Sequence, residues 1–477
     1  MSLGDTIAAV ATAPGRGGVA IVRVSGSEAF QVAERLTGRT PKSRRVSLES
    51  IKGPNSALID TAVVLAFKGP NSYTGEDVVE FQCHGGSVTP RRVLEACLAS
   101  GARLARRGEF TERAFLNGRL SYEAAESVLD LVDAKTDRAA DAALRALAGE
   151  RGRETRDIYE ALVDLSSTAE HALDVSEEEL PEGFCERLAS AAASIVARLD
   201  EAIRRAKEGK ILREGALVVI SGPPNAGKSS LMNALLGERR AIVSETPGTT
   251  RDSIEECLDV CGWPVRLVDT AGLRETSDAI EGEGVARARD LMEKADVVLN
   301  LTPADGGPAG ETDGTSGTGV VIEVLSKCDL IPSPFPPLLG HRLRRLASLG
   351  GYVPHSHPSS DRLRGSLRSG DTFPVSAKTG EGLDALRGAI AAGLERKAAE
   401  PGDADSALGR DASALIEARA LLTTTPPLSN SPTPPPPDLV LLANCVRAAA
   451  EKLGGAIGAT YSADMLDALF SRFCVGK

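Results

Sequence analysis

The stretch VVISGPPNAGKSSLMNALLG, residues 218–237, decides the fold of the middle of this chain. It fits the pattern G-x-x-x-x-G-K-[ST] through Gly222, Gly227, Lys228 and Ser229. An apolar strand precedes the pattern and a helix follows it, which is the setting that a phosphate-binding loop needs. Backbone N–H groups and the positive helix end would surround a β-phosphate, and the lysine would reach the β and γ oxygens. The stretch therefore predicts a nucleotide-binding α/β domain.

Two later segments would contact the γ-phosphate and its magnesium ion. SETPGTTRD, residues 244–252, offers Thr250 as a Mg²⁺-sensing threonine that would act together with Ser229. DTAG ends an apolar strand and reads as D-x-x-G. Asp269 would hold Mg²⁺ through water, and the N–H of Gly272 would sense the γ-phosphate.

Two further motifs predict a guanine pocket. SKCD ends another apolar strand and reads as [NT]-K-x-D, in which Asp329 would accept hydrogen bonds from guanine N1–H and N2–H₂. Adenine would leave that carboxylate unpaired, so discrimination can be large. SAK, residues 376–378, would offer a backbone N–H to guanine O6. The usual first residue of SKCD is Asn and here it is Ser326, so we expect guanine selection with weakened affinity.

The motifs leave open how water would be oriented for hydrolysis. Ras-like enzymes place a Gln directly after D-x-x-G, but Leu273 stands there in this chain. Hydrolysis is then either very slow or served by another group. The following segment contains acids and no Gln, and Glu281 is one candidate.

Length and composition limit the kinds of protein that this chain can be. The chain has 477 residues, which indicates two to four domains, and its net charge of −11 disfavours nonspecific nucleic-acid binding. The eight cysteines form no C-x-x-C pair, so we expect reduced thiols rather than a zinc site. No apolar run is long enough to span a membrane, and the N-terminus resembles no targeting signal. We therefore expect a cytoplasmic protein.

Patterning predicts a multidomain protein that combines α+β and α/β domains. β-branched runs at 17–26 and 61–69 predict strands, and the segment 88–105 predicts a helix that ends near Gly101. Helical spacing begins with Ser121 as N-cap, and a second helix is predicted from Cys185 to Gly209. The predicted parts are an N-terminal α+β domain (1–118), a helical domain (119–210 and 399–477) and an inserted α/β domain (211–398). Low-complexity insertions are predicted at 302–319, 341–370 and 423–437.

Several longer blocks resemble one family. GPPNAGKSS, PGTTRD, DTAGLRETSDAIE and the terminal FCVGK, with GPNSYTGEDVVEFQCHGG near the N-terminus, are similar to the tRNA-modifying GTPases of the MnmE (TrmE) family. The resemblance covers nearly the whole chain outside the insertions. It implies an N-terminal folate-binding domain that dimerises, a split helical domain and an inserted Ras-like P-loop GTPase domain.

The resemblance also implies a set of nucleotide and metal contacts. A K⁺ ion, bound when two GTPase domains meet, would occupy the place of an arginine finger, and Glu281 would orient the water. The implied K⁺ ligands are Asn225, Ser244, Thr246 and Thr249, and the Mg²⁺ ligands are Ser229 and Thr250. The full set of expected GTP contacts is Asn225, Ala226, Gly227, Lys228, Ser229, Ser230, Ser244, Glu245, Thr246, Pro247, Gly248, Thr249, Thr250, Asp269, Thr270, Ala271, Gly272, Ser326, Lys327, Asp329, Ser376, Ala377 and Lys378.

The resemblance also implies a binding site for a one-carbon donor. The family's ligands for 5-formyl- or methylene-tetrahydrofolate match Arg23, Glu80, Arg119 and Lys477, although the family commonly has Lys at the position of Arg119. Cys474 has the spacing of a C-a-a-X prenylation signal, but the residues after it are not of the types that such a signal uses. It instead resembles a thiol near the folate, and whether it takes part in chemistry stays open.

The implied activity involves two partners. With MnmG, a protein that carries FAD, the family forms a heterotetramer and adds an aminomethyl or carboxymethylaminomethyl group to C5 of the wobble uridine in tRNA. Two alternatives stay open. One is a GTPase switch in ribosome assembly, which predicts a C-terminal RNA-binding domain or a second GTPase domain. The other is a folate-dependent one-carbon transferase with a regulatory GTPase domain.

Overall fold

The computed structural model describes nine ranges of the chain, which form two compact units. The described residues are 4–173, 180–237, 256–269, 290–305, 319–330, 372–400, 410–423, 439–457 and 469–476. Unit 1 comprises residues 1–129, 146–150 and 459–477, and unit 2 comprises 130–145 and 151–458. The insertions predicted at 341–370 and 423–437 lie outside the described residues except for Thr423, and of the segment 302–319 only its two ends are described.

Unit 1 contains a six-stranded sheet in the order β3-β4-β5-β2-β1-β6. Neighbouring strands are antiparallel except for the pair β1 and β6, which is parallel. Alternating buried and partly exposed residues along β2 show why the sequence forms a sheet with one face on the core. The strands are β1 Ile7–Val10, β2 Val19–Ser25, β3 Ser47–Lys52, β4 Leu58–Phe67, β5 Val78–His84 and β6 Arg103–Leu104.

Unit 2 contains a second six-stranded sheet, in the order β12-β11-β10-β7-β9-β8. Five strands are parallel, and β8 lies antiparallel to β9 at one edge. The central strand β7 is buried along nearly its whole length, as expected for a parallel strand covered on both faces. The strands are β7 Ala216–Ser221, β8 Glu256–Val260, β9 Trp263–Asp269, β10 Val297–Pro303, β11 Val320–Ser326 and β12 Thr372–Pro374.

Eleven α-helices occur among the described residues. They are α1 Ala29–Thr37, α2 Thr89–Ala99, α3 Glu109–Leu116, α4 Tyr122–Asp133, α5 Asp137–Leu147, α6 Glu150–Leu173, α7 Phe184–Glu214, α8 Lys228–Leu236, α9 Leu383–Ala399, α10 Arg410–Thr423 and α11 Leu439–Ile457. In unit 1, α1 and α2 pack on the sheet. In unit 2, α6, α7, α10 and α11 form one apolar core, while α8 and α9 pack against the strands.

Most of the predicted elements are present. The two predicted strands in the N-terminal part are β2 and β4, and α2 ends just before Gly101. Ser121 caps α4, because its Oγ accepts a hydrogen bond from the N–H of Ala124 at 3.2 Å. The predicted mixture of α+β and α/β architecture is confirmed. The predicted domain boundaries, which divide the sequence into the segments 1–118, 119–210, 211–398 and 399–477, stay a prediction.

The predicted end of the second long helix is wrong. Helix α7 continues past Gly209 and stops at Gly215, which has a left-handed φ of +80°. Gly209 instead lies close to α6: an added Cβ would lie 2.3 Å from Nη2 of Arg151, so the end of that flexible side chain would have to shift. The glycine is therefore a close-packing position inside the helix rather than a stop signal.

Candidate functional site

The phosphate loop joins β7 to α8 at the carboxyl end of the central strand. Two of its residues, Asn225 and Gly227, have left-handed φ values of +60° and +89°. An added Cβ on Gly222 would lie 2.7 Å from the carbonyl oxygen of Leu301 on β10, so only glycine fits there. The ammonium group of Lys228 donates to the carbonyls of Gly222 and of the next residue at 3.0 and 2.9 Å. This geometry holds the lysine at the loop, and its predicted contact with the β and γ oxygens stays a prediction.

The two predicted magnesium-site residues that the structure describes meet directly. The hydroxyl of Ser229, in the first turn of α8, donates to Oδ2 of Asp269 at 2.6 Å. Asp269 is the last residue of β9, and β9 is paired with β7 in the sheet. Parallel strands end at the same edge, so the fold brings together two residues that are 40 positions apart. A hydroxyl and a carboxylate oxygen are donors of the kind that Mg²⁺ prefers.

The predicted guanine-reading residues also come together. Asp329 lies in a short 3-10 helix, Cys328–Leu330, just after β11. The hydroxyl of Ser376 donates to Oδ1 of Asp329 at 2.8 Å, which fixes the orientation of the carboxylate. Oδ2 of Asp329 has no hydrogen bond within the described residues, so one carboxylate oxygen can accept from a base.

Ser326 contacts the phosphate loop. Its buried hydroxyl donates to the carbonyl of Ala226 at 2.6 Å. The next residue, Lys327, has a left-handed φ of +59° and pairs with Asp305 at 2.8 Å. The serine therefore ties the guanine motif to the phosphate loop, even though it lacks the amide of the usual Asn.

Several predicted site residues lie outside the described residues. They are Ser244, Glu245, Thr246, Pro247, Gly248, Thr249, Thr250, Thr270, Ala271, Gly272, Glu281 and Lys477. Their roles stay predictions, as do those of the site residues that the structure describes, including Ser230, Ala377 and Lys378.

In unit 1, two predicted folate residues form an ion pair on adjacent strands. Nε of Arg23 on β2 lies 2.8 Å from Oε1 of Glu80 on β5, its directly opposite residue in the sheet. The guanidinium also lies over the rings of Tyr73 and Phe110, at 5.5 and 5.6 Å from their centroids. Arg119 is exposed, and its Cγ would lie 3.3 Å from a Cβ added at Gly75. The sequence did not reveal the two rings, because they approach Arg23 only through the fold.

A buried charge network stabilises the same unit. Arg113 contacts Asp5 at 2.7 Å, Glu76 at 3.0 Å and Glu109 at 3.1 Å. Arg103 adds contacts to Asp5 and Glu109, each at 2.5 Å. Burial alone would raise the pKa of Glu109, but hydrogen bonds from Arg103 and from backbone hold that pKa at about 2. No motif predicts this network, because its members come from four separate segments.

The carboxyl-terminal segment packs against the N-terminal strands within unit 1. Gly476 has a φ of +107°, and an added Cβ would lie 2.3 Å from the carbonyl of Val10 at the end of β1. Gly108 also lies close to this segment, because a Cβ added there would lie 2.5 Å from the carbonyl oxygen of Phe470. These contacts fix the path of the segment that carries Cys474, whose side chain is exposed. None of the eight cysteines forms a disulfide bond.

Among the described residues, no group of three or more His, Cys, Asp and Glu side chains could hold a metal ion. No helix in the described part of the chain has the length and apolarity to cross a membrane.

Comparison with known proteins identifies the family. The description "GTP-binding protein TrmE N-terminus" matches residues 6–119, and "MnmE helical domain" matches residues 123–474. This chain belongs to the MnmE (TrmE) family. The resemblance inferred from the sequence motifs is thereby confirmed, and with it the assignment of the chain as a GTPase.

Full-length members of the MnmE family align from end to end. The "tRNA modification GTPase MnmE" of Nitrosomonas europaea is 40% identical over 479 residues, covering 100% of both chains. The protein of the same description from Symbiobacterium thermophilum is 40% identical over 491 residues, covering 99% of each. Among solved structures, the FeoB G-domain from Methanococcus jannaschii covers 38% of this chain and 97% of its own, at 24% identity and a TM-score of 0.23. Membership of the MnmE family rests on the sequence relatives.

Proposed function

We propose that this GTPase couples GTP hydrolysis to modification of tRNA, as the descriptions of its full-length relatives indicate. The observation that carries the proposal is the meeting of two pairs at one edge of the sheet. Ser229 bonds Asp269 where the phosphates and Mg²⁺ would lie, and Ser376 bonds Asp329 where guanine would lie. Both pairs follow the carboxyl ends of parallel strands, where ligands of such sheets bind.

Mg²⁺ fits the residues at the phosphate end. The Ser229 hydroxyl would bind the ion directly, and Asp269 would hold one of its waters, with Thr250 as a further proposed ligand. When bound, the ion neutralises charge that develops on the phosphate oxygens. Lys228 would bind the β and γ oxygens, and the N–H of Gly272 the γ-phosphate.

We further propose that K⁺ assists hydrolysis. Asn225 is exposed at the loop with a left-handed backbone, and its side chain has no hydrogen-bond partner in the described ranges. Its amide oxygen is therefore available to a cation. Ser244, Thr246 and Thr249 would complete the site, and Glu281 would orient the water. A cation beside the γ-phosphate stabilises the charge of the transition state. The apolar side chain of Leu273 cannot provide such stabilisation.

The one-carbon donor would bind in unit 1. Arg23, held by Glu80 and placed over two aromatic rings, offers a fixed guanidinium beside a flat apolar surface. Such a surface suits a pterin ring with polar edges. Arg119 and Lys477 would supply further positive charge, and Cys474 would lie near the one-carbon unit. The donor would be 5-formyl- or methylene-tetrahydrofolate.

The proposed assembly is a homodimer that acts with an FAD-containing MnmG-type protein on the wobble uridine of tRNA in the cytoplasm. FAD would be bound only by that partner. The G domains of the two copies would meet across K⁺. A ribosome-assembly switch gains no support from the family match, which covers both the N-terminal and the helical parts.

A nucleotide switch tests the coupling. Asp329→Asn should weaken GTP binding and favour xanthosine triphosphate, because the amide can donate to the extra oxygen of xanthine. With tRNA, the folate donor and the FAD partner present, the variant should modify tRNA with xanthosine triphosphate but not with GTP. Equal modification with either nucleotide, or with none, would instead support a one-carbon transferase whose GTPase domain is only regulatory.

A further inference from the structure

The β8–β9 hairpin connects the two phosphate-sensing segments of the GTPase. Its first strand follows the segment that contains Thr250, and its second strand ends at Asp269. The turn between Val260 and Trp263 has only two residues, and both have left-handed φ values: Cys261 at +52° and Gly262 at +87°. These values match the type I′ turn, which prefers Asn or Gly at its first position. A cysteine there is strained, so the turn needs support from outside the hairpin.

That support comes from the start of helix α5. The hydroxyl of Thr136 donates to the carbonyl of Gly262 at 2.8 Å. The hydroxyl oxygen of Thr136 also accepts a hydrogen bond from the N–H of Ala139 at 3.2 Å, so Thr136 caps helix α5 as well. Lys135 adds a contact from its ammonium group to Sγ of Cys257 on β8, at 3.2 Å. The two residues just before α5 thus contact both the turn and the first strand of the hairpin.

Arg138 makes a further contact with the hairpin. Its guanidinium lies over the ring of Trp263, 4.0 Å from the centroid, and Trp263 is fully buried. Glu208 on α7 fixes the guanidinium from the other side, with Oε1 2.6 Å from Nη2. Glu395 on α9 lies 3.8 Å from Nη1. Arg138 is therefore the point at which the hairpin, α5, α7 and α9 meet.

We propose that Arg138 is a positioning residue for GTP hydrolysis, acting on Asp269 through strand β9. Trp263 and Asp269 are the two ends of that seven-residue strand, roughly 20 Å apart along an extended chain. Among the described strands, β8 pairs only with β9, so one side of the hairpin has no sheet partner to fix its register. Pairing with β7 covers β9 only from Val265 to Asp269, so the contact with Arg138 holds the Trp263 end, which that pairing leaves out, and thereby adds to the positioning of Asp269 relative to Ser229.

The contact also works in the opposite direction. If nucleotide binding shifts the Asp269 end of β9, the environment of Trp263 and Arg138 at the other end of the strand must change with it. The helices that contact Arg138 would then respond to the nucleotide state. This inference rests on the proposed role of Asp269 at the nucleotide site.

Turnover of matched variants tests the proposal. In the full-length protein, Arg138→Met removes the charge and both ion pairs, whereas Arg138→Lys retains charge without the planar group. We expect kcat to fall roughly fivefold or more in Arg138→Met, with KM nearly unchanged and partial rescue by Arg138→Lys. The control is Arg205→Met, which also removes contacts to two carboxylates, those of Glu201 and Glu154, but touches no part of the hairpin.

Trp263 provides a second readout that does not need a variant to fold. It is the single tryptophan of the chain, so intrinsic fluorescence reports this contact alone. Emission should change when the wild-type protein binds a GTP analogue, and the change should be lost in Asp269→Asn. Emission that is insensitive to nucleotide in the wild type, or an Arg138→Met variant with wild-type kcat, would overturn the inference. If Asp269→Asn itself retained full GTPase activity, the proposed nucleotide site would be wrong instead.

Discussion

Ser326 and Ala226 are 100 residues apart in the sequence, and a hydrogen bond of 2.6 Å joins them. The hydroxyl of the guanine motif donates to a carbonyl of the phosphate loop, and the serine is buried. The part of the site that would bind the base is thereby tied to the part that would bind the phosphates.

Removing this bond should weaken nucleotide binding. In Ser326→Ala the carbonyl of Ala226 loses its donor, which costs about 1 kcal/mol, or roughly fivefold in affinity. The dissociation constant of GDP, measured by calorimetry, checks this. Ser50→Ala, on the exposed side of β3, is the control and should leave affinity unchanged. Unaltered GDP affinity in Ser326→Ala would mean that the bond does not organise the site.

The charge network of unit 1 should make its stability depend on pH. The pKa of Glu109 is held at about 2, against an ordinary value of 4.5. Because the folded-state pKa is the lower one, the ionised group stabilises the fold above pH 4.5. That contribution, on the order of 3 kcal/mol, is lost as pH falls from 4.5 towards 2.

Glu109→Gln should therefore lower the free energy of unfolding near pH 7 and flatten its decline in acid. Urea unfolding, followed at several pH values, measures both effects. Glu201→Gln is a matched control, because the pKa of Glu201 is also lowered to about 2, first by its hydrogen bond from Arg204. Glu201 is 40% exposed, so its replacement should cost less than about 1 kcal/mol. Equal losses in the two variants would show that burial of the network is unimportant.

The close approach of the carboxyl-terminal segment should be needed for folate binding. In Gly476→Ala, the new Cβ would lie 2.3 Å from the carbonyl of Val10, so the segment that carries Cys474 must move. Gly38→Ala is the control: its φ is also positive, at +74°, but nothing lies within 4 Å.

We expect Gly476→Ala to weaken binding of 5-formyl-tetrahydrofolate by roughly tenfold while GTPase activity stays normal, because the nucleotide site lies in unit 2. Equilibrium dialysis with the folate measures the effect. Gly38→Ala should bind the folate nearly as well as the wild type. Wild-type folate binding in Gly476→Ala would show that the terminal segment does not form part of the site.

Local motifs located the strand, loop and helix of the phosphate loop, but they gave no sign of contacts between distant segments. Lys228 and Ser229 follow from a short pattern, because a phosphate loop is built from neighbouring residues. Tyr73 and Phe110, by contrast, approach Arg23 only after separate segments pack together. Gly209 was misread as a helix end for the same reason: its contact with Arg151 is tertiary and leaves no local signal. Contacts made across long sequence separations were not accessible to motif reasoning.

The most direct test of the proposed mechanism is the GTPase rate in K⁺ compared with Na⁺ at equal ionic strength. The account predicts a rate at least roughly tenfold higher in K⁺, since the larger ion would supply the transition-state charge. It also predicts that Asn225→Ala abolishes this difference while still binding GTP. Equal rates in both salts for the wild-type protein would contradict the account.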